Sequence, residues 1–244
     1  MNATKKNSET NPSFSYLIIG SGRVARHLGH YFNLLNINYK SWDRAQDPHA
    51  LRVKVLEASH ILLAISDGAL AGFYRQHLEG HEKTVVNFSG AHQIDGMISA
   101  HPLMTFGNDL YELDFYKKIH FTLTGASTLD EALPGLANSY SWLPSAQKAL
   151  YHTYCVMGGN FVTLLISKML SGFATMKIPP EAARLYVEKV IENTFANPTG
   201  ALTGPLVRKD TETVAKNLKA LDNDPAKEIY EAFLKTYWPD YPRK

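Results

Sequence analysis

The chain has almost no cysteine: Cys155 stands alone among 244 residues. A single thiol excludes an internal disulfide and a cysteine-rich zinc site, so no metal is expected, and it fits a reducing compartment. Lying in an apolar helical stretch, Cys155 reads as a small core residue. Excess charge of one sign is equally scarce. With 25 Lys and Arg against 23 Asp and Glu, the formal net charge is +2. That leaves no polybasic footprint, and nucleic acid is not expected as the main partner. Long hydrophobic runs are missing too. The best candidate, Phe161-Val162-Thr163-Leu164-Leu165-Ile166-Ser167, stops at Lys168, short of the ~20 residues that cross a bilayer. Residues 1–13 are polar, lack the apolar stretch of a signal peptide, and read as a disordered leader. Together these absences predict a cytoplasmic protein without a membrane partner.

What is present is ordinary globular material, 45% hydrophobic and 20% charged, enough for one large domain or two small ones. Its most informative stretch is Ser15-Tyr16-Leu17-Ile18-Ile19-Gly20-Ser21-Gly22-Arg23-Val24-Ala25. An apolar run ends in Gly-x-Gly-x-x-Ala and continues into an amphipathic segment, the strand–turn–helix opening of a dinucleotide-binding fold. Gly20 permits the tight turn, and Gly22 lets the backbone approach a pyrophosphate. Ala25 and Gly29 allow the helix to pack closely on the sheet. The pyrophosphate would rest on the unpaired N–H groups of the helix start, around Ser21, Arg23 and Val24. A second strand over 37–42 ends at Asp43, at the spacing of the carboxylate that binds ribose hydroxyls and favours NAD. Arg44 follows, and a guanidinium can stack on adenine or grip the 2′-phosphate of NADP. A solvated turn is the plainer reading of this pair.

Continuous apolar strands at 61–65 and 84–88, shorter extended pieces at 97–100, 119–124 and 140–143, and helices at 47–58, 69–78 and 128–139 predict a doubly wound, mostly parallel α/β sheet. From about residue 145 the pattern is helical: 146–176, broken only by Gly158-Gly159, then 181–195, 211–221 capped by Asp210, and 226–237. The expected organisation is a Rossmann domain over 14–144 and an all-helical domain over 145–244, with the site in the cleft at the strands' carboxyl ends.

Several residues there could carry chemistry. Ser66, Asp67 and Ser89 end strands where a nicotinamide would lie, and each could equally cap a helix. His101, fixed by Pro102, is a plausible acid or carboxylate-binding donor. His152, Val156 and Asn160 share one helix face. Asn160 is a polar group in an apolar helix, where an amide requires a partner. The adjacent glycines cost about 1 kcal/mol each relative to alanine, which suits close approach of a ligand or of another helix. Arg208 could hold a carboxylate in bidentate fashion or brace its own loop through Asp210.

The combination of Gly20-Ser21-Gly22-Arg23-Val24, Ser89-Gly90-Ala91, Ser99-Ala100-His101-Pro102-Leu103, the segment from Tyr151-His152 to Asn160, and Ala201-Leu202-Thr203-Gly204-Pro205 through Arg208-Lys209-Asp210 resembles a bacterial family of predicted oxidoreductases. Its members pair a Rossmann-like domain with a helical domain, in an architecture similar to 6-phosphogluconate dehydrogenase, pyrroline-5-carboxylate reductase and ketopantoate reductase. A subset of the family supplies ketopantoate reductase activity. The resemblance implies NADP-linked reduction of 2-dehydropantoate in pantothenate synthesis, with NAD as the alternative cofactor, a small keto acid as substrate and a homodimer as the assembly. It also exposes a departure. Relatives carry Lys-x-x-x-Asn on the central helix, but here Val156 stands four residues before Asn160, so the proton must come from elsewhere, from His101, from His152 or from an ordered water held by Asn160. An imine reductase and a non-catalytic dinucleotide sensor are the competing expectations.

Overall fold

Strands that are apolar on both faces must be covered on both faces, and that requirement organises the first part of the molecule. The computed structural model describes residues 14–242; the leader expected over 1–13 lies outside them. Seven strands form one sheet: β1 (Tyr16–Ile19), β2 (Tyr39–Trp42), β3 (His60–Leu63), β4 (Thr84–Asn87), β5 (Ile98–Pro102), β6 (Phe121–Thr124) and β7 (Tyr140–Trp142). Their spatial order is β2-β1-β3-β4-β5-β6-β7. All neighbours run parallel except β5 and β6, which are antiparallel with His101 opposite Thr122.

Alternate residues of one strand enter two separate cores. Tyr16 and Ile18 of β1 join Leu62 and Val86 on one face, under α1 (Arg23–Leu34) with its Leu28, Tyr31 and Phe32. Leu17 and Ile19 join Ile61, Leu63 and Val85 on the other. That face is closed by Leu51 and Val55 of α2 (Pro48–Glu57) and Leu70 of α3 (Asp67–His77). Gly29 earns its place in α1, because a Cβ there would collide with the Tyr39 ring. The sheet is thus doubly wound and mostly parallel, as the sequence pattern predicts.

Beyond β5 the chain closes with α4 (Leu113–Tyr116) and α5 (Leu129–Ala132). The helix expected over 128–139 is only four residues long. Pro134 cannot continue a helical ladder, and Gly135 turns the chain away at φ +87°. This region is fastened by Asn138, which is 5% exposed. Its Nδ2 donates to the carbonyls of Tyr116 (2.7 Å) and Ile119 (2.9 Å), and its Oδ1 accepts from the Tyr31 hydroxyl at 2.8 Å.

The long helical run is not broken at Gly158-Gly159. A 3₁₀ turn over Ser145–Gln147 leads into α6 (Lys148–Cys155), a π-helical turn over Val156–Phe161, and α7 (Val162–Thr175). The glycines sit inside the widened turn, where the ladder absorbs an extra residue without ending. By length and composition the run Ser145–Thr175 could cross a membrane, and none of its most apolar window is buried. The apolar run stops at Lys168 as read from the sequence, but a helix of membrane-spanning length and composition continues through it.

Contacts divide the chain into two compact units meeting at 162/163. The second unit holds most of α7, then α8 (Pro180–Ala196), α9 (Pro205–Arg208), α10 (Thr211–Ala220) and α11 (Ala226–Tyr237). Its core is small: Val214, Leu234 and Trp238, with Leu206, Leu218, Tyr230 and Tyr241 packed around them. Asp210 caps α10 as expected, accepting from the Thr213 amide at 3.0 Å. By contrast, α7 buries none of its side chains and α8 buries only Ala183. Large apolar groups such as Leu164, Leu185 and Phe195 remain exposed.

The Asn138 network generates a test. Replacing Asn138 with Leu strands one buried hydroxyl and two carbonyls, and should lower unfolding stability by on the order of 3 kcal/mol. Chemical denaturation measures this, and Tyr31→Phe in the Asn138→Leu background should recover part of the loss.

Candidate functional site

Strand order reverses around β1: β2 lies on one side of it and β3 on the other. That reversal opens a crevice at the strands' carboxyl ends. A cavity of about 620 Å³ occupies it, bordered by Gly20, Ser21, Gly22, Arg23 and Val24 from the β1–α1 turn. Gly20 has φ +128°, in the region that favours glycine, and a Cβ there would strike the Ala64 carbonyl. Gly22 differs, since nothing lies within 4 Å of where its Cβ would be. It is the N-cap of α1 and supplies no capping side chain. The first-turn amides of a twelve-residue helix therefore face an open space beside a bare backbone, the arrangement that accepts a pyrophosphate.

The far wall comes from β2 and β3. Trp42, Asp43, Arg44 and Ser66 all border the cavity, as do the apolar Ile65, Phe73 and Phe88. The Asp43 carboxylate is occupied within its own turn: Oδ1 accepts from the Ala45 amide at 2.8 Å and Oδ2 from Gln46 Nε2 at 3.3 Å. Lys54 in turn donates to Gln46 Oε1 at 2.9 Å. The Arg44 side chain is exposed. A dinucleotide fits these residues, with the phosphates on the glycine turn and a cationic group at the ribose end.

A second group of polar side chains gathers where β4, β5 and α6 meet. Ser89, 5% exposed, follows β4; its hydroxyl donates to Asp67 Oδ2 at 2.9 Å and accepts from the His92 amide at 2.9 Å. His92 Nδ1 lies 3.2 Å from the same Asp67 oxygen. His101 belongs to β5 rather than to the loop after it, and its Nδ1 is 2.8 Å from the Tyr151 hydroxyl of α6. The rings of His101 and His152 are edge-on, 6.1 Å apart. Both converge on Gly90: a Cβ there would collide with His152 Nδ1 and lie 3.1 Å from His101 Nε2. Only glycine leaves room for the two imidazoles. His152 Nδ1 is buried without a hydrogen-bond partner among the described residues.

Beneath this turn lies Lys148, 2% exposed. Its ammonium donates to the Ser89 carbonyl at 3.0 Å and to Ser99 Oγ at 2.6 Å, and Ser99 Oγ donates to the same carbonyl at 3.0 Å. Burial pulls the Lys148 pKa down to about 8, against the attraction of Asp67. Burial first, then the His152 and Lys148 charges, lower His101 to about 4. Burial also pushes Tyr151 up to about 12, so the phenol keeps its proton at neutral pH.

The sequence-predicted residues therefore fall into two clusters and two outliers. Gly20, Ser21, Gly22, Arg23, Val24, Asp43, Arg44 and Ser66 border one cavity. Asp67, Ser89, His101 and His152 share the second cluster. Asn160 stands apart, two turns beyond His152 in the π-helical turn and exposed; Arg208 ends α9 in the second unit, also exposed, acting on Asp210. Sequence reasoning missed Lys148, Tyr151, Ser99 and His92. Lys148 had a signal: it precedes His152 by four residues, on the face shared with Val156 and Asn160.

His101 makes acid stability a test. An unfolded chain binds this proton below pH 6.5, the native state only near pH 4, so stability should fall as pH drops through that window. Denaturation midpoints between pH 7 and 4 should show the decline, and it should be shallower in His101→Gln.

Residues 119–236 match the family model described as Domain of unknown function (DUF2520). No curated protein matches the chain. Among solved structures, a Bacteroides fragilis protein provisionally named an NADP oxidoreductase superposes with a TM-score of 0.74 at 19% identity, covering 92% of this chain and 97% of that one. A Thermotoga maritima protein gives a TM-score of 0.62 at 20% identity, with 91% and 96% covered. Plasmodium falciparum pyrroline carboxylate reductase with NADP bound gives 0.57 at 10% identity, with 94% and 97% covered. At such identities the likeness establishes the fold. The chain thus has a Rossmann-like fold with a helical C-terminal region, the fold of the NADP oxidoreductase-like structures it superposes on, and its residues 119–236 match the model described as DUF2520.

Proposed function

We propose that this protein is an NADP-dependent reductase of a small 2-keto acid, with 2-dehydropantoate as the specific substrate. The observation that carries the reading is the bare glycine turn at the start of α1, opening on the cavity that Arg44 borders. In this reading the amides around Ser21, Arg23 and Val24 hold the pyrophosphate. Arg44 meets the 2′-phosphate, and Asp43, engaged by Ala45 and Gln46, offers NAD's ribose hydroxyls less than a free carboxylate would. NADPH, when bound, supplies the hydride equivalent that with one proton turns a ketone into an alcohol.

The chain's own residues supply the rest. His101 presents Nε2 towards Gly90 while Tyr151 holds Nδ1. With the protonated phenol as donor, the neutral ring carries its N–H at Nε2, where it can donate to the oxygen of a bound carbonyl. His152, on the opposite side of Gly90, is the second candidate for that role, and Asn160 is assigned to orienting the substrate. The buried Lys148 ammonium makes the local field positive, which favours an anionic substrate and a developing alkoxide over an iminium cation. Asp67, at the cluster's edge, is the feature that would instead suit an imine. The exposed apolar faces of α7 and α8 are assigned to the interface of a homodimer.

Three measurements test this. NADPH oxidation, followed by near-ultraviolet absorbance, should proceed with 2-dehydropantoate and not with pyrroline-5-carboxylate; turnover of the imine alone would transfer the assignment to an imine reductase. Quenching of Trp42, which borders the cavity, should report NADPH binding, and Arg44→Ala should weaken NADPH about tenfold or more while leaving NADH nearly unchanged. Light scattering should give twice the 27.3 kDa chain mass; a monomer would remove the dimer assignment.

A further inference from the structure

Lys148 is a full charge buried inside the first unit, and the proposed reaction uses only its field. Burying an ammonium costs several kcal/mol unless hydrogen bonds compensate, so its surroundings bear on what it does. Two of its three N–H donors are matched: the Ser89 carbonyl at 3.0 Å and Ser99 Oγ at 2.6 Å. Ser99 is itself fully buried and spends its own proton on the Ser89 carbonyl. A proton leaving Lys148 along this path reaches a peptide carbonyl, which cannot pass it on. The arrangement is therefore no proton relay. It is a tether that joins three elements at one peptide: the turn after β4, β5 through Ser99, and α6 through Lys148.

That peptide adjoins Gly90, on which His101 and His152 converge. His152 is four residues beyond Lys148 on the same helix, so the position of Lys148 fixes where the His152 ring meets the turn. We propose that Lys148 is the positioning residue of this site, its ammonium pinning the Ser89–Gly90 turn to α6 and so setting the orientation of His101 and His152 against Gly90. The inference rests on the reductase reading only in calling this cluster the reacting site; the tether itself does not.

The charge has a second consequence. The groups acting on His101 are Lys148, His152 and Tyr151 from α6, Asp67 from α3 and Thr122 opposite it on β6. Beyond burial, His152 and then the ammonium oppose a proton on His101, and Asp67 favours one. Removing the ammonium thus tips the balance towards protonation, whereas a role confined to packing would leave it unmoved.

The test uses the full-length protein without cofactor. Histidine ring signals are assigned with His101→Gln and His152→Gln and titrated by NMR in wild type and in Lys148→Met, which keeps the stem's bulk without the charge. In Lys148→Met the His101 titration should rise from about 4 by roughly half a unit or more. The His152 ring signals should shift, and amide exchange should accelerate at residues 89–92. NADPH affinity should stay within about twofold, because the glycine turn is untouched. If Lys148→Met does not fold, Ser99→Ala, which removes one acceptor and keeps the charge, should still accelerate exchange at 89–92. A folded Lys148→Met with unchanged His101 titration and unchanged exchange overturns the inference. Wild type that binds NADPH yet reduces no keto acid overturns the substrate assignment instead, and leaves these readouts standing.

Discussion

Everything in the first unit follows from a sheet that must be buried on both faces. Once α1 covers one side of β1 and β3, and α2 and α3 cover the other, backbone groups are satisfied by the ladder and apolar side chains by the helices. The one place left open is the row of turns at the strands' carboxyl ends. There the chain changes from extended to helical, and amides of the first helical turn have no carbonyl to meet. The glycine turn after β1 keeps that opening clear: Gly20 because only glycine fits its backbone and its distance from Ala64, Gly22 because a side chain would stand in the space.

Two kinds of polar environment result from this one arrangement. Along β1, β2 and β3 the crevice is solvent-facing and built from backbone donors with an exposed guanidinium. At β4 and β5, Ser89, Ser99 and Lys148 are enclosed, and burial changes the chemistry there. Burial lowers both His101 and Lys148, and the His152 and Lys148 charges further disfavour a proton on His101. The cluster holds one ammonium and a neutral imidazole in place of two cations. A positive field that carries few mobile protons suits the stabilisation of developing negative charge. Among the described residues, Asp67 is the carboxylate that acts on His101 and Lys148, and it is shared between Ser89 and His92.

The helical second half shows a different balance. Its core is three buried side chains with a few partners, while α7 and α8 leave apolar groups in solvent. Contiguous exposed apolar surface is the usual mark of an interaction site. The π-helical turn at Val156–Phe161 absorbs Gly158-Gly159 without interrupting the run, which is why a pair of helix-weakening residues did not mark a boundary.

Local chemistry is what the sequence could announce. Apolar runs flanked by Gly-x-Gly-x-x-Ala marked β1 and α1, and strand–helix alternation marked the doubly wound sheet, because each depends on neighbours a few residues away. Pro134-Gly135 carried the local signal that stops α5 early, and it was outweighed by the apolar pattern around it. For the site, Gly20 to Val24 was legible for the same local reason. The engagement of Asp43 by Ala45 and Gln46 was not, since side-chain rotamers and the turn geometry decide it. Least legible was Lys148. Its spacing placed it on the face of His152, but only the folding of α6 against the Ser89 carbonyl and the Ser99 hydroxyl, 59 and 49 residues earlier, turned it into a buried charge. The sequence by itself determined which segments become strands and helices and where a phosphate could rest. Tertiary structure alone decided which ionisable groups meet, because burial and pairing are properties of distances that sequence spacing does not contain.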